Sequence, residues 1–352
     1  MRNYLVLTGF LIGLFFGIIL VGRQISVAYE DSINRDLEAK ILAIKAFEAE
    51  NLKKAQDSRT ANIILVGDIM LSRAVGKKMN SVNNFNFPFL KISDTLRGAD
   101  FVFANLEGPI SNGGKNQGSV YSFRADPKVI DGLVFANFGV LSLANNHIWD
   151  YGQSALLDTF KNLKNAGILY VGAGENSAKA NELAIKEVRG NKIGFLAYTD
   201  LYPKSFEAGK NYPGISNFDL KNILNKISQA KASSTVDFLL VSLHWGDEYA
   251  DVPTDKQKEI ARQLIDAGAD IIIGHHPHVV QQFESYKNGL IFYSLGNFVF
   301  DQNFSEETMS GYLVKIKLLD KKIKDWSISG TIINKDFQAE LDGLVGGQDI
   351  AN

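Results

Sequence analysis

The sequence predicts an α/β (α+β) fold in which parallel and antiparallel strands coexist, preceded by one N-terminal transmembrane helix. Three observations predict it. First, short β-branched runs, among them "NIILVGD", "DFVFANLE", "GVLSLANNH", "DFLLVSLHWG" and "DIIIGHHPH", each end in polar residues. They alternate with amphipathic stretches such as "QSALLDTFKNLKNAG" and "DKQKEIARQLIDAGA", the pattern of buried strands joined by helices. Second, "LAIKEVRGNKIGFLAYTD" reads as a hairpin with Gly190 and Asn191 at its turn, and "GYLVKIKLLDKKIKDWSISGTII" as two more antiparallel strands. Parallel and antiparallel pairing therefore coexist, which suits two packed sheets. Third, Tyr4 to Gly22 carry no charge and lie between Arg2 and Arg23.

The elements follow in order. Residues 1–23 form the transmembrane signal anchor: at about 1.5 Å per residue, the uncharged run just crosses a hydrocarbon core of roughly 30 Å. A cleaved signal peptide is the competing reading, but the run is long and no clear A-x-A site follows it. A short tail, one span and a large polar domain place that domain outside the cytoplasm, on the cell membrane. Residues 24–59 read as a helical stalk, with Ile33, Leu37, Ile41, Ile44 and Phe47 recurring at steps of three or four. A dimerising coiled coil fits too, but the repeat is short and irregular, which favours a simple spacer. "QDSRTAN" marks the join to the globular domain, residues 60–335, and residues 336–352 read as a C-terminal tail.

Composition narrows the chemistry. Hydrophobic residues make up 45% of 352 residues, enough for a sizeable core. A net charge of −2 without a basic stripe gives no case for nucleic acid. With no cysteine, disulfides, thiolate metal sites and cysteine nucleophiles are all excluded.

The chemically capable residues gather at strand ends. All five histidines, His147, His244, His275, His276 and His278, sit just past apolar runs, and two earlier runs end in Asp68 and Glu107. In α/β sheets, ligand-binding groups collect beyond the carboxyl ends of strands. Each residue has a plainer reading by itself. Asp68 could be a turn or N-cap residue, Glu107 a loop cap, His244 a satisfied core histidine, and Asn145-Asn146-His147 a loop tightened by local bonds. Three imidazoles in "GHHPHVV" resist such an account, because they repel when protonated and a metal holds them neutral. Imidazole mixed with carboxylate and amide oxygen, without thiolate, suits Mn, Fe or Zn better than Ca or Mg.

"VGDIMLSR", "FANLEGPIS", "SLANNHIWDYG", "VSLHWGDEY", "IIIGHHPHVVQ" and "IFYSLGNFVFDQ" occur in the order and spacing of the CapA-like poly-γ-glutamate (capsule) biosynthesis family. That family lies within the calcineurin-like metallophosphoesterase superfamily, and the resemblance covers about residues 60 to 305. It implies a four-layer sandwich, two mixed sheets flanked by helices, holding one or two divalent ions. It implies Asp68, Glu107, Asn146, His244, His276 and His278 as ligands, with Glu107 in the bridging place. His147 then protonates the leaving oxygen while Asp150 orients it. His275 is implied to lie behind the ligands or against substrate.

Two departures stand out. The superfamily's first strand carries Asp-x-His, where this chain has Asp68-Ile69-Met70, and the bridging aspartate is replaced by Glu107, with Asn105 close by as a helper. Arg73 and Arg124 are candidate clamps for an anion, or else surface ion pairs. Asn297 and Asp301 line the same pocket or only fix a tight turn. The resemblance implies a metal-dependent, phosphoesterase-type hydrolase of the cell envelope. It implies action on a cell-envelope substrate, with a cell-envelope or poly-γ-glutamate-type polymer and other capsule-synthesis membrane proteins as partners. A non-hydrolytic polymer-binding component with a degenerate metal site is the alternative.

Overall fold

The computed structural model describes residues 2–349, which fall into two units, Met1–Ser58 and Arg59–Asn352. The first unit is occupied by helix α1 (Arg2–Arg59). It is long and apolar enough to cross a membrane, and Phe10 to Val21 expose their side chains along it. Ile33, Leu37, Ile41, Ile44 and Phe47 are exposed as well.

The second unit opens with β1 (Ala61–Ile69), α2 (Arg73–Ser81), α3 (Ser93–Arg97), β2 (Phe101–Leu106), α4 (Val129–Phe135), β3 (Phe138–Ser142), α5 (Gly152–Asn165) and β4 (Leu169–Val171). The strands β1 to β4 pair in parallel, as strands joined by helical crossovers must. After β5 (Ala173–Gly174) and α6 (Ser177–Ala180) come β6 (Ala184–Val188), β7 (Asn191–Thr199), β8 (Gly214–Ile215), α7 (Leu220–Ala232), β9 (Phe238–His244), α8 (Asp255–Asp266) and β10 (Ile271–His275). The chain closes with β11 (Phe283–Tyr286), β12 (Gly289–Phe292), β13 (Asn297–Val299), β14 (Ser310–Leu319), β15 (Lys322–Ile333) and β16 (Ala339–Asp349).

Among the described residues, one sheet runs β16-β15-β14-β1-β2-β3-β4 with β13 beside β1, and a second runs β11-β12-β10-β9-β7-β6. A small β5-β8 pair stands apart. Side-chain alternation explains the layering. Phe238, Leu240, Ile271, Ile273 and Phe292 join the core shared with the first sheet. Their neighbours Leu239, Val241, Ile272 and Ile291 pack with Ile227 of α7 and Leu264 of α8. Successive strand residues face opposite sides, so the second sheet is apolar on both faces and its strands read as unbroken hydrophobic runs. On the first sheet, Val75, Met79, Leu133, Leu156 and Phe160 bring helices into the same core. The result is helices, sheet, sheet, helices, the mixed α/β architecture the sequence predicts.

Two details differ from the sequence reading. The hairpin turn is Arg189-Gly190, both with positive φ (48° and 77°), and Asn191 already pairs with Val188. A two-residue hairpin loop of this kind needs both central residues left-handed. Residues 339–349, placed by the sequence reading in a C-terminal tail, form β16 and pair antiparallel with β15.

The chain changes sheets between β12 and β13. Leu295 donates its amide to Gly274 O of the second sheet (3.2 Å) and accepts from Tyr312 N of the first (2.8 Å). Gly296 O accepts from Asp68 N at 3.0 Å. That closeness requires glycine at position 67, where a Cβ would lie 1.9 Å from Gly296 O.

Candidate metal centre

The parallel strands of both sheets end toward the same place. β1 carries Asp68, in register with Asn105 of β2 and Asn297 of β13. β9 ends at His244, directly opposite His275 at the end of β10. Glu107 follows β2, Asn145-Asn146-His147 follows β3, and His276 to His278 follow β10. His276 and His278 have φ of 96° and 59°. Non-glycine residues in that region cost of order 1–3 kcal/mol each and persist where the surroundings hold them for a purpose.

Asp68 is fully buried and heavily engaged. Oδ1 accepts from Asn105 Nδ2 (2.9 Å), and Oδ2 accepts from the backbone N–H of His276 (3.1 Å). His275 Nδ1 lies 3.0 Å from Oδ1, and His278 Nδ1 lies 3.5 Å from Oδ2. Asn145 Nδ2 donates to Asn105 Oδ1 (3.1 Å) and so fixes that amide's orientation. Asn105 Nδ2 then faces Asp68 Oδ1, Glu107 Oε1 (3.4 Å) and His244 Nδ1 (3.4 Å). One amide group offers two hydrogens to three acceptors, which leaves lone pairs over.

Further lone pairs have no partner. Among the described residues, Glu107 Oε2 and His276 Nδ1 are buried without a hydrogen bond, a costly state unless something electropositive meets them. His244 Nε2 lies 2.9 Å from Asn146 Oδ1. His278 Nδ1 donates to Asn297 Oδ1 (3.0 Å), because Asn297 Nδ2 is committed to Gln302 Oε1 and Thr308 O (both 2.9 Å). With Nδ1 committed to Asn297, Nε2 is the His278 atom left to meet a metal ion. Two groups emerge, Asp68–Glu107–His244 and Glu248–His276–His278, each with ligand atoms within 4.8 Å of one another. Orphaned oxygen and nitrogen donors of this kind fit a divalent transition metal.

Electrostatics agree with a cation-seeking centre. Burial raises the Glu107 carboxyl to about 7, with His278 pulling down and Asp68 pushing up. Burial also works against the charged form of Asp68, but bonds and charge from His275 and His278 outweigh it and hold the carboxyl well below its ordinary range. Burial and the neighbouring imidazole of His276 keep His244 well below the usual histidine value. His276 is pushed down to about 3 by burial and by His278. For His278 burial acts downward, yet the carboxylates of Glu107 and Asp68 lift it to about 9.

His147 Nδ1 donates to Asp150 Oδ2 at 2.8 Å. Asp150 is itself fixed by Phe123 N (2.8 Å) and Ser119 Oγ (3.2 Å). The Phe123 ring lies on His147 with centroids 4.1 Å apart, so the imidazole is held in one tautomer with Nε2 free.

The other residues singled out by sequence fall in different places. His275 is 0% exposed and so cannot touch a substrate; it backs Asp68 instead. Asn297, also fully buried, orients His278 rather than lining a pocket. Asn105 sits among Asp68, Glu107 and His244, with no surface for substrate. Arg73 Nη2 pairs with Asp301 Oδ1 (3.2 Å), while its guanidinium lies over Tyr121 and Phe123. Asp301 Oδ2 accepts from Ala74 N (3.0 Å). Arg124 donates to Gly113 O (2.9 Å) and stacks over Tyr151 at 4.2 Å. Met70 is fully buried, and its sulfur accepts from Ser72 N and Oγ (3.2 and 3.0 Å). Glu248 escaped the sequence reading, although "SLHWGDEY" places it four residues past His244.

The family described as "Bacterial capsule synthesis protein PGA_cap" matches residues 62–302. The chain is 37% identical over 284 residues to the capsule biosynthesis protein CapA of Bacillus anthracis, covering 79% of this chain and 68% of that one. It is 38% identical over 256 residues to the PGA biosynthesis protein CapA of Bacillus subtilis (strain 168), covering 72% of this chain and 66% of the relative. Among solved structures, a Haemophilus influenzae NAD nucleotidase superposes with a TM-score of 0.44 at 13% identity, over 82% of this chain and 54% of that chain. A putative 5'-nucleotidase from Staphylococcus aureus gives 0.42 at 15%, over 83% and 55%. The chain thus spans about half the length of these solved structures.

Proposed function

The chain belongs to the PGA_cap family of bacterial capsule synthesis proteins, and from that premise we propose a metal-dependent, phosphoesterase-type hydrolase of the cell envelope. Its substrate in this reading is a phosphate ester on the way to a poly-γ-glutamate-type capsule polymer. Helix α1 anchors it in the cell membrane with the globular domain outside the cytoplasm, beside other membrane proteins of capsule synthesis. The observation that carries the proposal is the pair of orphaned donors, Glu107 Oε2 and His276 Nδ1, buried in the same cluster of strand ends as the locked His147–Asp150 dyad.

Asp68, Glu107, Asn146, His244, His276 and His278 would hold one or two ions of Mn, Fe or Zn. A divalent ion there supplies water activation and offsets charge on the phosphoryl oxygens. The chain's own residues do the rest. His147, with its Nδ1 proton fixed on Asp150, presents Nε2 as the atom that hands a proton to the leaving oxygen. Phe123 covers one face of that ring and keeps water from it. Arg73, 37% exposed in its side chain and steadied by Asp301, offers a planar fork to phosphate or to a γ-carboxylate.

The test is turnover of generic phosphate esters by the purified full chain after loading with Mn²⁺, Zn²⁺ or Fe²⁺. His147→Ala and His276→Ala should each lower kcat by about 100-fold or more. Activity indifferent to both changes, or no turnover with any of the three metals, rejects hydrolysis. Met70 favours a second reading, because the superfamily's imidazole is missing there and the sulfur is committed to Ser72. In that reading the chain binds polymer without cleaving it. Polyglutamate binding that survives His276→Ala, with no hydrolysis, would support it.

A further inference from the structure

We propose that Glu248 is a metal ligand: with His276 and His278 it holds a second divalent cation, supplying the donor that Met70 cannot. This rests on the metal-centre reading above and adds a residue that reading did not contain. Three features carry it. The carboxylate of Glu248 and the imidazoles of His276 and His278 bring one ligand atom each within 4.8 Å of the others. His276 is 7% exposed, and its Nδ1 has no hydrogen-bond partner among the described residues. Position 70 offers a buried thioether already engaged by Ser72, which is soft and neutral and ill suited to Mn²⁺ or Zn²⁺ in an oxygen and nitrogen site.

The backbone explains how a residue past β9 reaches histidines past β10. Trp245 N donates to His275 O (3.1 Å), and Tyr249 N donates to Pro277 O (2.8 Å). Gln281 Nε2 adds a bond to Ala250 O (2.8 Å). These three bonds lace the 245–250 loop to the 275–281 loop and set Glu248 beside the two histidines that flank Pro277. Tyr249 takes φ of 64° to make its bond, so left-handed backbone occurs on both sides of the lacing. Two imidazoles and one carboxylate are a mixed nitrogen and oxygen donor set that would hold a divalent transition metal. The plainer alternative is a solvated surface carboxylate, since Glu248 is exposed. It accounts for neither the orphaned His276 nitrogen nor the strained turns.

The experiment titrates Mn²⁺ into the full chain, stripped of metal and held in detergent. Ions bound per chain are counted by elemental analysis, and affinity and Mn–Mn coupling are read by calorimetry and electron paramagnetic resonance. Wild type should take two ions with a coupled signal. Glu248→Ala should keep one and weaken the other by at least about 100-fold, because residues that merely orient a ligand already cost roughly 10–100-fold. Asp247→Asn, a neighbouring exposed acid, should change neither. The thermal midpoints of both metal-free variants should match wild type, which separates ligand loss from misfolding. Unchanged stoichiometry and affinity in Glu248→Ala overturn the assignment, as does a wild type holding one ion that the variant also holds equally well. A wild type that binds no Mn²⁺ overturns the metal centre as a whole.

Discussion

Metal binding at this centre should release protons in a defined pH window. In the metal-free protein, His278 titrates near 9 and Glu107 near 7, and a coordinating imidazole or carboxylate must lose its proton. At pH 7, His278 is then about 99% protonated and Glu107 about half, so binding expels about 1.5 protons; at pH 8 the figure falls to about one. From pH 7 to 9 the His278 contribution alone should tighten binding by roughly 50-fold, about 2 kcal/mol. Calorimetry of Mn²⁺ binding in buffers of different ionisation enthalpy measures the count directly. The sign for stability follows from the same values. His278 has its folded value raised above 6.5, so its contribution to the metal-free fold is complete below pH 6.5 and disappears as pH rises through 9. Glu107, raised above 4.5, favours the metal-free fold below that value and loses its contribution as pH rises through 7. The rise in thermal midpoint on adding metal should therefore be larger at pH 8 than at pH 6. Release of no protons at pH 7 to 8 would mean a neutral His278, and would refute its placement between Glu107 and Asp68.

Three further perturbations probe the scaffold. Gly67→Ala puts a Cβ 1.9 Å from Gly296 O. The β1–β13 pairing must open, at about 1–3 kcal/mol or more, and both thermal midpoint and bound metal should fall. Asp150→Asn leaves the bond to His147 possible but in the wrong tautomer, so kcat should drop by about 10²–10⁴ while metal content stays at the wild-type level. Asn297→Ala frees His278 Nδ1 and should cost roughly 10–100-fold in metal affinity, read by competition with a chelator.

The fold was legible because its signals are local. Runs such as "FVFANL" and "IIIGH" are buried on both faces and stop abruptly, and the amphipathic stretches between them have the helical period. The turn at Arg189-Gly190 shifted by one residue because two left-handed positions were needed and Asn191 pairs instead. β16 was missed because its glycines, Gly343, Gly346 and Gly347, blur the alternation that marks a strand. At the strand ends the rare residues stand out in the sequence, but depth does not show. His275 and Asn297 look like pocket residues until their burial places them behind Asp68 and His278. Glu248 was hidden for another reason: its position is set by a backbone bond from Tyr249 to Pro277, and nothing in a single sequence reports a contact between two loops.

The crossing from β12 to β13 has a kinetic consequence. Leu295 is bonded to Gly274 in one sheet and to Tyr312 in the other, and the next residue holds Asp68 N through its carbonyl. Donors from the two sheets therefore cannot separate while this rivet is closed. Parting of the two sheets at the Asp68 end requires these bonds to open together. Amide hydrogen exchange at Asp68, Leu295 and Tyr312 should share one rate and should slow together when metal is added.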